Sequence, residues 1–485
     1  MSTRPTGRFY VLKAHAANPW EMCLMEFIAM SPVKTRTKPK TKTKLAAAAP
    51  RRDDGQPRFV GVDLHKEVAT FHVVSHDGAS LHSGEFLVNP DAIREFATAH
   101  LLPTDSLAVE ATSNTWAFVR LVRPHVAKIV VSNPLKTKAI AEANIKTDKV
   151  DALVLAQLLR CDYLPSVWVP TSTVEDSRAL AARRSALVNQ RTAIRNRIHA
   201  VLARRLVKAP AGGLFTDKGL AWLKEVKLDP LDRALIDADL ALLDALGQQS
   251  LTIDLMIVNE SYDDHDIQLL MTMPGVDYTI AHALKATIAD VRRFTDPDKL
   301  ASYLGLVPSV KQSATKCYHG PITKAGSSQA RWLLVQGAQC VGQHPGPLGA
   351  FFRKLERRKN RNVAVVATAR KMVTIAWHML MNKEPYRYAV PQSTEIKLAG
   401  LRVRATGAKR KTGPPKGSKP ARKAAGEKSR TVPSLDEVYS REGLPSRRPR
   451  SQGEERMVRE SGTQEYVASL DAPKLVPRGR RTGVE

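Results

Sequence analysis

Five short apolar runs between residues 58 and 132 constrain the fold of this chain more than any other feature. Turn signals separate the first three runs, the clearest being the His-Asp-Gly sequence at 76–78, and such an order is typical of a β-meander. The next two runs alternate with stretches of helical character. Together they predict a mixed α/β sheet, with strands at 58–64, 69–75, 81–88, 106–110 and 127–132.

Three helices are expected around this sheet, at 90–100, 115–122 and 149–160. Asn89 precedes the first helix, and Thr147 or Asp148 lies near the cap of the third. These residue types are preferred N-caps, because their side chains accept the free N–H groups of the first turn. We therefore expect one α/β domain over residues 58–165.

Two long helical stretches follow and predict a coiled-coil arm, or helical linker, over residues 170–262. Apolar residues recur every seven positions in the first stretch and form a stripe in the second, namely Leu180, Leu187, Ile194 and Val201, then Leu235, Leu242, Leu246, Ile253 and Ile257. Arginines, among them Arg191 and Arg195, are frequent in the first stretch. Two interpretations stay open: an internal helical bundle, or a dimerisation arm whose basic face contacts nucleic acid.

Residues 265–390 are expected to form a third, mostly helical domain. Its Met-Pro-Gly sequence at 273–275 precedes an apolar helix and resembles the turn of a helix-hairpin-helix. In such a turn Gly275 lets the backbone approach a DNA phosphate, which the N-terminus of the next helix faces. On its own this pattern is a weak indication of DNA binding, since Pro-Gly often precedes a helix.

The charge of the chain indicates a polyanionic partner. The formal net charge is +28, and residues 58–390 retain +10 of it, so the folded region is basic as well as the ends. Residues 1–57 and 391–485 are rich in Lys, Arg, Pro and Ser and lack a pattern that could build a core. Both are predicted to be disordered basic tails.

Membrane and disulfide-rich classes are disfavoured. No apolar run approaches the roughly 18–20 residues that span a bilayer, and Glu21 and Glu26 interrupt the apolar stretch near the N-terminus. The four cysteines are scattered, which fits a reducing compartment and excludes a Cys-rich zinc module. We expect a cytoplasmic protein without a membrane segment.

Four carboxylates are placed where they can meet. Asp63 lies at the end of the first predicted strand and Glu110 at the end of the fourth, whereas Asp148 and Asp151 share one face at the start of a helix. Oxygen ligands of this kind suit Mg²⁺ or Mn²⁺, and two such ions stabilise the attacking and leaving oxygens of a phosphoryl transfer. Each carboxylate alone is more often a cap or a solvated helix residue, but the combination indicates a metal site.

This order of strands and carboxylates is the layout of the ribonuclease-H-like nucleases, and more closely of the RuvC resolvases. With GVDLHK at 61–66, AVEAT at 108–112 and KTDKVDALVLAQLL at 146–159, the chain resembles the "one-ten" family of bacterial insertion-sequence transposases. The stretches at 273–309 and 320–338 resemble the C-terminal transposase domain of that family. The resemblance covers residues 58–390 and includes the DEDD set Asp63, Glu110, Asp148 and Asp151.

The resemblance implies a serine nucleophile that forms a covalent 5′-phosphoserine link to DNA while the carboxylates bind Mg²⁺. The family motif falls on Lys324, Gly326, Ser327, Ser328 and Arg331, which makes Ser328 the nucleophile and Lys324 and Arg331 phosphate contacts. Without the family spacing, Ser327 is an equal candidate. Either serine could instead be the N-cap of the helix that follows.

The resemblance further implies donor and target DNA as substrates, a structured guide RNA encoded by the element, and a homodimer or homotetramer acting at the bacterial nucleoid. Two other functions stay open. One is a RuvC-like junction endonuclease, which uses the four carboxylates and water in place of a serine. The other is a catalytically decayed nucleic-acid-binding protein.

Overall fold

The computed structural model describes residues 55–140, 147–313, 316–408 and 429–477. The chain forms two compact units, which meet in sequence between Val169 and Pro170. The predicted N-terminal extension at 1–57 lies outside the described residues, except for its last three positions.

The first unit is built on a six-stranded sheet, which confirms the predicted mixed α/β architecture. Its strands are β1 (Phe59–Leu64), β2 (Val68–Val74), β3 (Ser80–Leu87), β4 (Ser106–Glu110), β5 (Lys128–Ser132) and β6 (Ser166–Val167), in the order β3-β2-β1-β4-β5-β6. The first three strands are an antiparallel meander, and β1, β4 and β5 run parallel. The short antiparallel strand β6 is not indicated by the sequence pattern.

Helices cover both faces of this sheet: α1 (Pro90–His100), α2 (Thr115–Val122), α3 (Pro134–Ile140) and α4 (Asp148–Arg160). On one face Val60 and Val62 pack with Phe96 of α1 and Phe118 of α2. On the other face α4 crosses β1 so closely that a Cβ atom at Gly61 would lie 1.9 Å from the Ala152 carbonyl oxygen. A glycine is therefore needed there, and the close approach brings the start of α4 near the end of β1.

The second unit begins with the predicted helical arm, formed by α5 (Ser172–Arg204), α6 (Asp217–Glu225) and α7 (Pro230–Asp263). Ion pairs join α5 to α7 in opposite chain directions, so the two long helices are antiparallel: Arg184 with Asp254, Arg197 with Asp239, and Arg204 with Asp232. The buried stripe of the arm is Leu187, Ile194 and Ile198 on α5, and Ile236, Leu243 and Ile257 on α7.

Two details of the arm are decided by the structure and not by the sequence pattern. Leu235 and Leu242, which belong to the predicted apolar stripe of α7, are exposed, and the residues directly after them are buried. Several arginines of the first stretch pair with α7 aspartates, among them Arg184 and Arg197, whereas a basic face toward nucleic acid was one of two open interpretations. The reason is the same in both cases: periodicity identifies a helix face, but the neighbouring helix decides which face it covers.

Helices α8 (His265–Met271), α9 (Tyr278–Ile288), α10 (Pro297–Tyr303), α11 (Ser328–Val341), α12 (Pro347–Arg358) and α13 (Arg361–Asn382) form the core of the second unit. This region is mostly helical, as predicted, but it also contains an antiparallel hairpin of β7 (Pro308–Ser313) and β8 (Lys316–Ile322). Most side chains of the hairpin are exposed, so hydrophobic periodicity does not reveal it.

The prediction that residues 391–485 are a disordered tail is wrong for the part that the structure describes. This part contains α14 (Pro391–Thr406), β9 (Ser429–Val432), α15 (Leu435–Arg441), α16 (Gln452–Glu460), α17 (Gln464–Ala468) and β10 (Lys474–Pro477). Leu435, Tyr439, Val458 and Val467 are buried in the core cluster of the second unit. Amino-acid composition does not reveal this packing. A few widely spaced apolar residues among many charged ones are enough to pack a segment against a core that is already formed.

Two helices, α7 and α13, are long and apolar enough to cross a bilayer by length and composition alone. Core helices of globular proteins pass the same test. Both helices supply residues to buried clusters of this unit, α7 with Ile236 and Leu243 and α13 with Met372 and Val373.

Candidate active site

The sheet brings Asp63 and Glu110 to one edge. Strands β1 and β4 are parallel, with Val62 opposite Val109, so Asp63 on β1 and Glu110 on β4 occupy the next matched position. Side chains at matched positions of neighbouring strands point to the same face. The two carboxylates therefore lie side by side at the carboxyl end of the central strands.

Helix α4 brings the remaining two carboxylates to the same edge. Thr147 is its N-cap and accepts the backbone N–H of Val150 at 3.4 Å, which fixes where the helix begins. Asp148 and Asp151 then fall in the first turn, and both act electrostatically on Asp63. The structure thus places all four sequence-predicted carboxylates around one end of the sheet.

His65 also belongs to this cluster and was not among the residues predicted for the site. Its Nε2 atom lies 3.2 Å from Asp63 Oδ2 and 3.4 Å from Asp148 Oδ1. Ligand atoms of Asp63, His65 and Asp148 all lie within 4.8 Å of one another. The available signal was its position two residues after Asp63 at the end of a strand, where both side chains can reach the same point.

The acidic cluster changes the titration of its most enclosed member. Burial raises the pKa of the Asp63 carboxyl above its usual value, and the negative charges of Asp148 and Asp151 raise it as well, whereas His65 lowers it. The Asp63 side chain is only 14% exposed, while those of His65 and Asp148 are more than half exposed. Clustered carboxylates of this kind repel one another, and a bound cation would remove that cost.

The donor set fits a divalent cation. Carboxylate oxygens are the preferred ligands of Mg²⁺, and an imidazole nitrogen suits Mn²⁺ and other transition metals better than Mg²⁺. Asp63, Asp148 and His65 offer close ligand atoms, and Glu110 and Asp151 lie at the same edge. A nuclease-like fold with this donor set indicates the use of a divalent metal.

The two candidate serines lie in the second unit and have different environments. Ser327 is the N-cap of α11, and its hydroxyl oxygen accepts the backbone N–H of Ala330 at 3.2 Å. Ser328 is the first residue of the helix and is exposed. A helix N-terminus attracts anions, because its free N–H groups and dipole are positive, so Ser328 stands where a phosphate would bind.

The loop before these serines has a constrained backbone. Lys324 has φ of +55°, a left-handed conformation that costs a non-glycine residue about 1–2 kcal/mol. Its N–H donates to the Gly305 carbonyl oxygen at 3.2 Å, which ties the loop to the segment after α10. The Lys324 side chain is exposed, so its predicted contact with phosphate stays a prediction.

Arg331 holds this loop in place. Its Nη1 atom donates to the carbonyl oxygens of Leu304 at 3.0 Å and of Ala325 at 2.9 Å. These bonds join helix α11 to the loop that carries Ser327 and Ser328. Nη1 thus positions the serine loop, and the predicted contact of Arg331 with phosphate stays a prediction.

The structure gives Gly275 a packing role, and its predicted contact with a DNA phosphate stays a prediction. Gly275 has φ of +75°, and a Cβ atom there would lie 2.1 Å from the carbonyl oxygen of Gly337 in α11. The glycine is therefore required for packing against α11. The Lys397 ammonium group also donates to the carbonyl oxygens of Met273 and Val276, so protein groups occupy several polar atoms of this turn.

Arg191 and Arg195 remain candidates for contact with nucleic acid. In the part of the chain that the structure describes, neither guanidinium forms an ion pair like those of Arg184 and Arg197. Arg195 lies over the ring of Phe215, with its Cζ atom 5.1 Å from the ring centre. Such stacking holds a guanidinium without neutralising its charge.

Comparison with known proteins agrees with this arrangement. Residues 60–205 match a family model for a DEDD transposase of the IS110 group, and residues 267–353 match the model "Transposase IS116/IS110/IS902 family". The first match spans the acidic cluster and α5, and the second contains the serine loop and all of α11.

Curated relatives are similar over most of their length. A putative transposase, y4qE, from Sinorhizobium fredii is 26% identical over 72% of this chain and 88% of its own. The transposase for insertion sequence element IS1111A from Coxiella burnetii is 25% identical over 70% of this chain and 93% of its own. A pilin gene-inverting protein from Moraxella bovis is 25% identical over 68% of this chain and 97% of its own. This chain therefore belongs to the IS110/IS116/IS902 family of insertion-sequence transposases and is a DNA transposase.

Proposed function

We propose that the chain cleaves and exchanges DNA strands through a covalent intermediate on Ser328, with the acidic cluster of the first unit as its cation site. The observation that carries the proposal is the meeting of Asp63, His65 and Asp148 at one point, beside Glu110 and Asp151. A cluster of oxygen ligands on a nuclease-like sheet is suited to phosphoryl transfer. In this proposal, residues 58–165 bind the cation and residues 265–390 supply the nucleophile.

The environment of the serines supports Ser328 as the attacking group. Ser327 already uses its hydroxyl oxygen to cap α11, whereas Ser328 is exposed at the helix N-terminus. In the proposed step the Ser328 oxygen bonds to the scissile phosphorus and the bond from phosphorus to the 3′ oxygen breaks. The serine proton passes to solvent, and the departing 3′ oxygen takes up a proton. The strand stays attached through its 5′ phosphate, and attack by another 3′ hydroxyl reverses the step.

Other residues of the chain would prepare this step. Asp63, Glu110, Asp148 and Asp151 would hold Mg²⁺ or Mn²⁺, and such a cation would neutralise negative charge on a DNA phosphate. Arg331 positions the serine loop through its bonds to Leu304 and Ala325. Lys324 adds a positive charge on the same loop, at a point where a phosphate would approach the helix N-terminus.

A junction endonuclease that uses water is the second candidate, because the acidic cluster by itself suffices for hydrolysis. The two functions differ in their product. The serine route leaves DNA covalently joined to protein, which migrates as a high-mass band after denaturation, whereas hydrolysis leaves only free ends. Incubation of the purified protein with its element ends and Mg²⁺ or Mn²⁺ tests both, and absence of any cleavage would favour a decayed binding protein.

We also propose that the active form is a homodimer or homotetramer. Helix α7 has a second, mostly apolar face that is exposed to solvent. Its residues are spaced alternately four and three apart: Leu231, Leu235, Ala238, Leu242, Ala245, Gln249, Thr252 and Met256. All eight are exposed, and this spacing is that of a coiled-coil seam. The seam supports association of two copies through their arms.

A structured guide RNA encoded by the element is the proposed source of target choice, acting on DNA at the bacterial nucleoid. The net charge of +28 supports a nucleic-acid partner of either kind. Co-purification of RNA with the protein, followed by sequencing, tests this part of the proposal, because RNA derived from the flanks of the gene should be strongly enriched.

A further inference from the structure

The second unit contains a cavity of about 920 Å³ that is separate from the serine loop. Its walls come from α12, α13, the segment at 384–388 and α16. Helix α16 lies beyond both segments that match the family models. The docked C-terminal segment therefore completes a pocket of the size that holds a small organic ligand.

The carboxylates that line this cavity are already paired. Glu384 and Glu454 both contact Arg387, at 3.0 and 2.5 Å, and Glu384 also pairs with Arg448 at 2.6 Å. Glu460 accepts a hydrogen bond from Arg456 at 2.7 Å. Their negative charge is therefore largely neutralised within the protein.

Three basic residues of the cavity rim, unlike these carboxylates, are not paired in the part of the chain that the structure describes. Lys354 and Arg357 on α12 and Lys371 on α13 line the cavity and are exposed. Among the described residues, none of the three forms an ion pair. The charge that the cavity offers to a ligand is therefore positive, which favours an anionic group at the rim.

The interior of the cavity is largely apolar, and it includes a tyrosine whose hydroxyl group has no hydrogen-bond partner among the described residues. Phe351, Ile375 and Met457 supply apolar surface. Tyr388 also lines the cavity and is only 6% exposed, yet its hydroxyl has no hydrogen-bond partner among the described residues. A buried hydroxyl without a partner costs free energy, and a ligand with a polar edge would remove that cost.

A ligand with a planar body, a polar edge and a phosphate would match the apolar interior, the Tyr388 hydroxyl and the positive rim of the cavity. We propose that the cavity binds one unstacked nucleotide of a nucleic-acid strand, with its base against Phe351, Met457 and the Tyr388 hydroxyl and its phosphates along Lys354, Arg357 and Lys371. The proposal uses the established action of this family on DNA and does not depend on the chemistry of Ser328.

Binding is best measured with the full-length protein in EDTA, so that no cleavage intervenes. The probes are single-stranded DNA and RNA of the same sequence, each carrying 5-iodouracil for photocrosslinking. The expected crosslinks fall in peptides that contain Phe351, Tyr388 or Met457. A stronger signal from DNA or from RNA identifies the source of the nucleotide, and crosslinks confined to other peptides would overturn the proposal.

Two variants test the contacts separately. Tyr388→Phe removes only the unpartnered hydroxyl, so it should keep the thermal stability of the protein and weaken strand binding by about threefold to tenfold. Lys371→Glu should weaken strand binding by about tenfold. It should also reduce the slope of the logarithm of the binding constant against the logarithm of salt concentration by about one, which corresponds to one phosphate contact.

Lys218→Glu on α6 is the matched control for charge, because Lys218 is exposed and does not line the cavity. The Lys218→Glu protein should bind the strands more tightly than the Lys371→Glu protein does. If Tyr388→Phe and Lys371→Glu both bind as tightly as the unmodified protein, the cavity does not hold a nucleotide. Binding of free AMP without binding of either strand would likewise overturn the proposal.

Discussion

Ser327 and Ser328 are neighbours in sequence, but only Ser327 caps helix α11. Its hydroxyl oxygen accepts the Ala330 N–H at 3.2 Å, while Ser328 begins the helix and is exposed. One serine therefore has a structural task and the other is accessible at a site that attracts phosphate. This difference separates two candidates that local sequence alone leaves equal.

Replacing the two serines should have opposite consequences. Ser328→Ala should abolish covalent protein–DNA adducts, because the attacking oxygen is gone, while DNA binding persists. Ser327→Ala should lower the free energy of unfolding by about 1 kcal/mol through loss of the cap and keep the adducts. Denaturing gels and chemical denaturation measure these effects. Adducts that survive Ser328→Ala would refute its role as nucleophile.

Replacing a carboxylate of the cluster should remove metal-dependent cleavage. Asp148→Asn or Asp151→Asn should slow strand cleavage by about a hundredfold or more, since a cation-binding site contributes several kcal/mol to phosphoryl transfer. Cleavage of labelled DNA over a Mg²⁺ and a Mn²⁺ titration provides the measurement. Asp162→Asn is the control, because Asp162 is exposed in the same unit. Equal cleavage by Asp148→Asn, Asp151→Asn and Asp162→Asn would rule out the metal role.

Charges in the second apolar face of α7 should prevent self-association. Leu235→Asp combined with Leu242→Asp places two like charges on the proposed seam, whereas neither side chain belongs to the buried stripe of the arm. We expect the molar mass by light scattering to fall to that of one chain, with unchanged helical content. Asp244→Asn, on an exposed position outside the seam, should leave the mass as it is. An unchanged mass in the double variant would place the interface elsewhere.

Acid should destabilise the protein through His344. Burial lowers the pKa of this imidazole from 6.5 to about 4, and the charges of Lys397 and Arg353 lower it as well. Between pH 4 and pH 6.5 the unfolded chain binds a proton at this position and the folded chain does not. The contribution of His344 to the free energy of unfolding is therefore full above pH 6.5 and is lost as the pH falls toward 4. His344→Gln cannot titrate and should flatten this dependence in urea unfolding. His82, whose pKa burial also lowers to about 4, leaves a residual slope.

Two glycines provide a matched test of backbone packing. Gly275→Ala should lower the free energy of unfolding by more than about 2 kcal/mol, because it combines a left-handed conformation with a contact of 2.1 Å to the Gly337 oxygen. Gly400→Ala, inside α14 with no atom within 4 Å of the added Cβ, should raise it by about 0.5–1 kcal/mol. Guanidinium denaturation distinguishes them. A Gly275→Ala protein as stable as the original would contradict the close packing of this turn on α11.

The positions of the four carboxylates could be predicted from the sequence. Asp63 and Glu110 end two short apolar strands, and Asp148 and Asp151 begin a helix with a clear cap, so local patterns place each of them at an element boundary. Because parallel strands end at the same edge, the strand order alone predicts that Asp63 and Glu110 lie close together.

The contacts of His65 and Gly275 could not be predicted from local sequence patterns. The position of His65 two residues after Asp63 puts it near the end of β1, but its contact with the distant Asp148 is visible only in the folded chain. Gly275 is required by contact with Gly337, a residue more than sixty positions away. Contacts between distant segments are decided by packing, which a single sequence does not display.

The sequence by itself determined the classes of the elements, the acidic edge of the sheet, the helical arm and the family of the chain. These follow from short-range periodicity, capping and motif order, which each segment carries within itself. Only the tertiary structure decided which serine caps α11, which face of α7 is left exposed, and that the basic C-terminal segment docks and completes a cavity. Those outcomes depend on which distant surfaces exclude water together, and that is a property of the folded chain as a whole.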